Sequence, residues 1–107
     1  MDLTITRREH PGAVFLDLSG RVVFLDTSLR EAVRELMNQG HRDFVFDFSG
    51  VTHLDSFGMG QLVSIWTSVQ NTGGSLKLAN PTERVRKLLR ITRLDSVFPI
   101  EADVSTQ

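Results

Sequence analysis

The stretch Phe44-Val45-Phe46-Asp47-Phe48-Ser49-Gly50-Val51-Thr52-His53-Leu54-Asp55-Ser56-Phe57-Gly58-Met59-Gly60 decides the fold. Its first five residues are aromatic and β-branched, the composition of a central strand, and Ser49-Gly50 bounds them. Beyond the loop from His53 to Gly60, Met59, Leu62, Val63, Trp66 and Val69 keep the spacing of one helical face. Gly73-Gly74 ends that run, and Leu76-Lys77-Leu78-Ala79 reads as the next strand. A strand, a helix and a strand in that order imply a parallel crossover.

Working outward, Leu29, Ala32, Val33, Leu36 and Met37 predict a preceding helix, with Ser28 and Glu31 as a capping box and Gly40 as its stop. Before it, residues 3 to 7 form a short strand, His10-Pro11-Gly12 a turn, and Val14, Leu16 and Leu18 one face of a second strand, an N-terminal β-hairpin. After the second crossover, Asn80 as N-cap, Pro81 at the first helical position and Glu83 at the third open another helix. Val85, Leu88, Leu89 and Thr92 make its stripe, and Val97-Phe98-Pro99-Ile100 is a last short strand. The expected architecture is α/β: one domain over residues 1–107, a mixed sheet of four to five strands, helices packed against it.

Composition narrows the function. The 107 residues are 40% hydrophobic and 23% charged, with a net charge of −1, so nothing draws the whole chain to nucleic acid or an anionic membrane. No cysteine is present, which removes disulfides, thiolate chemistry and Cys-based metal sites. Neither a signal pattern nor a run approaching the roughly 18 apolar residues of a membrane span is visible, so a cytoplasmic protein is expected.

The loop before the second helix carries the chemistry. In parallel sheets, binding sites gather where strands end and helices begin. Ser56 falls in the first helical turn, where unpaired N–H groups and the positive end of the helix dipole favour an anion such as phosphate. An ordinary helix cap explains the same serine equally well. Asp55 suits a cap or a residue that orients Ser56, and Gly58 and Gly60 suit either close approach of another surface or tight packing against a strand. His53, Asp55 and Ser56 bring nucleophilic catalysis to mind, yet a triad is defined by geometry and the G-x-S-x-G elbow is missing. Arg84, Arg86, Lys87, Arg90 and Arg93 are either a nucleic-acid patch or, more simply, the solvated face of an amphipathic helix. Trp66 and Phe44, Phe46 and Phe48 line a pocket or fill the core, and core filling is the expectation, with no cofactor and no metal.

Asp47 through Gly60 resembles the STAS domain, shared by bacterial anti-sigma factor antagonists and the cytoplasmic tails of sulfate transporters: a strand followed by an Asp-Ser-x-Gly-x-Gly phosphorylation loop. Leu18-Ser19-Gly20, Gly73-Gly74 before Leu76-Lys77-Leu78, and Ile91-Thr92-Arg93-Leu94 with Val97-Phe98 follow the family's order. The resemblance implies a non-enzymatic anti-sigma factor antagonist. Ser56 would be phosphorylated by an anti-sigma factor with serine/threonine kinase activity, and a phosphatase would restore it. Asp26, Asp55, Ser56, Phe57, Gly58, Met59 and Gly60 would meet the partner. A scaffold or adaptor subunit of a larger signalling assembly is the alternative role. Phe57 departs from the small residue common at its place. Asp26 is displaced from the acidic residue many relatives carry soon after the glycine, and it serves a helix start equally well. A C-terminal helix beginning near Glu101-Ala102 is expected to be short or missing.

Overall fold

A row of five buried residues, Phe44 to Phe48, places their strand at the centre of the sheet, covered on both sides by neighbours. The computed structural model describes residues 3–22 and 27–101. Its elements are β1 (Leu3–His10), β2 (Ala13–Val22), α1 (Ser28–Asn38), β3 (Asp43–Leu54), α2 (Ser56–Asn71), β4 (Ser75–Ala79), α3 (Glu83–Ile91), a single 3-10 turn (Leu94–Ser96) and β5 (Ile100–Glu101). The sheet runs in sequence order from β1 to β5, with β1 antiparallel to β2 and every later pair parallel.

Topology then dictates layering. Each of the three crossovers steps in the same direction, and right-handed connections place all three helices on one face. The core bears this out: Leu16, Phe46 and Leu78 from the strands join Leu29, Val33, Leu62, Ile65, Val85 and Leu89 from the helices in one cluster. Full burial of an aromatic such as Phe46 stabilises by roughly 2–3 kcal/mol. The opposite face of the sheet is polar. There the Arg8 guanidinium forks onto Asp17 at 2.6 and 2.7 Å and lies 5.0 Å from the Phe15 ring centroid. The hydrogen bond to Asp17 holds the Arg8 pKa above its ordinary value.

The C-terminal ends of α1 and α2 follow the sequence closely. α1 and α2 both close on a left-handed glycine, Gly40 (φ +100°) and Gly73 (φ +82°). In each, the amide two residues past the C-cap returns to the helix, His41 N–H to Leu36 O and Gly74 N–H to Val69 O, both at 3.0 Å.

Five expectations are corrected. β3 does not stop at Ser49-Gly50 but continues to Leu54 across a register shift, because Gly50 lets the strands approach: a Cβ there would stand 2.9 Å from the Leu18 carbonyl oxygen. The Ser28–Glu31 capping box does not form; Thr27 flanks α1, and its hydroxyl donates to the Glu31 carboxylate at 2.9 Å. Asn80 is not the N-cap of α3. It adopts φ +52°, which suits a turn, and donates through Nδ2 to the buried Asp47, leaving Thr82 to cap the helix. Thr92, placed on the buried stripe of α3, is exposed. Finally, β5 begins only at Ile100, since Pro99 has no N–H to give and Phe98 turns into the core, edge-on to Trp66 at 6.3 Å. Among the described residues no helix is long and apolar enough to cross a membrane.

Candidate functional site

β3 delivers the chain to the start of α2 at Leu54, and the next residue fixes how the helix begins. Asp55 is extended (φ −96°, ψ 178°), and its Oδ1 accepts the Gly58 N–H at 2.7 Å while its carbonyl accepts the Met59 N–H at 2.9 Å. The side-chain bond satisfies one of the amides a helix start leaves unpaired, and the carbonyl bond is the first of the helix ladder. The cap is therefore Asp55. Ser56 is the first residue of the helix, exposed, and its hydroxyl makes no hydrogen bond to any described residue. Of the two readings of this serine, the cap belongs to its neighbour.

The two glycines of the loop have opposite surroundings. A Cβ on Gly58 would lie 2.1 Å from the Val22 carbonyl oxygen, so the missing side chain is what lets α2 settle against the end of β2. A Cβ on Gly60 would meet nothing within 4 Å, and the residue is exposed. Packing explains Gly58 and leaves Gly60 unexplained.

Between them the apolar side chains also separate. Met59 is 5% exposed and belongs to the core, whereas Phe57 is 58% exposed. Asp55, Ser56, Phe57 and Gly60 thus form the outer surface of the helix start, and Gly58 and Met59 anchor it from beneath. Asp26 lies outside the described residues.

Beside Asp55, Arg21, His53, Leu54 and Arg84 join it to line a shallow pocket of about 180 Å³. Arg21 ends β2 and Arg84 opens α3, so parallel strand order brings two guanidiniums to the same end of the sheet as Ser56. Linear reading treated Arg84 as one of a basic run and passed over Arg21. Their convergence depends on which strand ends share an edge, and no spacing rule carries that. Of the remaining cations of that run, Lys87, Arg90 and Arg93 are exposed and Arg86 is half-buried, and Val85 and Leu89 turn inward, as an amphipathic helix requires.

The arrangement is poorly suited to nucleophilic catalysis. His53 Nδ1 lies 3.1 Å from Thr52 Oγ1, which in turn donates to the Gly20 carbonyl, and the Asp55 carboxylate is committed to the helix amide. No His–Ser or His–Asp hydrogen bond links the three residues that lie together in sequence. What the site offers is a partly apolar surface at the positive end of a helix, flanked by the Asp55 carboxylate and the Arg21 and Arg84 guanidiniums, with an exposed serine at its centre.

Relatives share this plan. The chain is 38% identical over 71 residues to a Thermotoga neapolitana protein named as an anti-sigma factor antagonist homologue, a match covering 66% of this chain and 63% of that one. It is 31% identical over 103 residues to the anti-sigma-B factor antagonist of Bacillus subtilis, covering 95% of this chain and 94% of that one. The crystal structure of an anti-sigma factor antagonist from Mycobacterium paratuberculosis superposes with a TM-score of 0.80 at 22% identity, over 92% of this chain and 85% of its own. The family model described as the STAS domain matches residues 4–107, nearly the whole chain: this chain belongs to the STAS domain family.

Proposed function

We propose that this chain is an anti-sigma factor antagonist: a protein-binding switch, not a catalyst, that docks an anti-sigma factor through the start of α2 and so frees a sigma factor. The docking surface is Asp55, Ser56, Phe57 and Gly60, with Gly58 and Met59 beneath it and Asp26 as a further contact. Phosphorylation of Ser56 by the same anti-sigma factor, acting as a serine/threonine kinase, ends the interaction, and a phosphatase restores it. All of this takes place in the cytoplasm.

One observation carries the reading: the Ser56 hydroxyl is exposed at the first position of α2 and is spared from capping by Asp55. A phosphate there adds about −1.5 to −2 charges and three bulky acceptor oxygens to the docking surface. Helix amides and the dipole accept that charge locally, so the fold tolerates what a docked partner does not. Support from relatives comes through the name of the Bacillus subtilis protein, which matches over nearly its whole length.

The test recovers partners of the chain from its native cell, adds ATP to the complex and locates phosphate by mass spectrometry. Phosphate on Ser56 with loss of the partner is expected. Phosphate elsewhere with none on Ser56 overturns the switch, and binding that ignores ATP for wild type, Ser56→Ala and Ser56→Asp alike favours the adaptor role instead.

A further inference from the structure

Away from Ser56, helices α1 and α2 enclose a groove of about 290 Å³ whose walls include Arg30, Val33, Arg34, Ser64, Ile65 and Ser68. Arg30 and Arg34 stand one helical turn apart on α1 and share a face, a like-charge spacing that works against a helix unless an anion lies between. Neither makes an ion pair with a described residue. Of the two acids adjacent in sequence, Glu31 is engaged by the Thr27 hydroxyl at 2.9 Å, and Glu35 makes no ion pair with a described residue.

The Arg30 Nε–H adds a second, independent sign. It is buried and has no hydrogen-bond partner among the described residues, in a class of group that folded proteins almost always satisfy. Facing these cations, Ser64 and Ser68 are exposed one turn apart on α2, while Val33 and Ile65, each 3% exposed, supply an apolar base. The set therefore combines planar forks, hydroxyl donors and a small apolar floor.

We infer that this groove binds an aliphatic carboxylate. Guanidiniums donate to carboxylates in two-point geometry, and a carboxylate seated between Arg30 and Arg34 would relieve their mutual repulsion. Ser64 and Ser68 donate to the remaining oxygen lone pairs, and the methylene body rests on Val33 and Ile65. That floor favours an anion with a short hydrocarbon chain over inorganic phosphate. A glutamate side chain on a protein segment and a free dicarboxylate share this chemistry. The inference does not depend on phosphorylation of Ser56.

The experiment is an NMR titration of the full chain with glutarate and, separately, with a blocked Ala-Ala-Glu-Ala-Ala peptide. Saturable shifts are expected at Arg30, Arg34, Ser64, Ser68 and the Ile65 methyls. Affinity should fall roughly tenfold in Arg34→Gln and in Arg30→Gln, and stay unchanged in the exposed α3 variant Arg90→Gln. Arg34 is exposed, so its variant should keep the wild-type spectrum elsewhere even if Arg30→Gln disturbs the fold. Saturation by the peptide alone assigns the site to a protein segment, by glutarate alone to a free dicarboxylate, and by both to the shared group. No saturable shift with either probe overturns the inference, as do shifts that survive in Arg34→Gln or an equal response to inorganic phosphate.

Discussion

Helices α2 and α3 open at the same end of the sheet, each after a parallel strand and each with a side chain closing its first turn. Asp55 accepts the Gly58 N–H at 2.7 Å, and Thr82 accepts the Val85 N–H at 3.3 Å. Past the cap they diverge. α3 carries an acid, Glu83, in its first turn, as α1 carries Glu31; the first turn of α2 has none. In that place stand an exposed serine, an exposed phenylalanine and a glycine pressed against β2. The start of α3 adds an acid to its threonine cap, whereas the start of α2 has its acid in the cap itself and is braced from below. A phosphate on Ser56 would add a further negative charge at a position the dipole favours.

That contrast is broken most forcefully at Gly58. Its alanine variant drives a methyl group into the Val22 carbonyl, and overpacking against backbone should lower stability by about 3 kcal/mol in urea unfolding. An unchanged midpoint would mean the brace is unimportant. The caps come next: Asp55→Ala should cost about 1–2 kcal/mol and Thr82→Ala about 0.5 kcal/mol, the shorter bond to an ionised oxygen being the stronger, with Asp55→Asn close to wild type. Equal losses would remove the distinction between the two helix starts. Gly60→Ala should move the other way, stabilising by about 1 kcal/mol because an open helix interior favours alanine, while weakening partner binding in a pull-down titration. Smallest of all, Ser56→Asp should raise stability by about 0.5 kcal/mol through the dipole, an effect that shrinks in high salt.

Much of this was legible in the sequence. Aromatic and β-branched clustering marked β3, apolar spacing marked all three helices, and Gly40 and Gly73 marked two of their ends, because these signals are local. Boundaries resting on tertiary contact were not legible. β3 outran Ser49-Gly50 because Gly50 faces the Leu18 carbonyl on another strand, and Asn80 gave up the cap of α3 because Asp47, 33 residues away, takes its amide. In the site, the order Asp-Ser-x-Gly-x-Gly pointed to the right turn. Helical spacing already set Met59 on the buried face apart from Phe57, but nothing local could tell the packed glycine from the open one, since that depends on where β2 ends. The pairing of Arg21 with Arg84 was hidden for the same reason.

The most direct test of the central claim uses protein carrying phosphoserine at position 56, compared with the unmodified chain for thermal stability and for affinity to the anti-sigma factor kinase recovered with it. The account predicts a melting temperature equal to or slightly above that of the unmodified protein together with loss of binding. Retained binding, or loss of binding accompanied by unfolding, would contradict it.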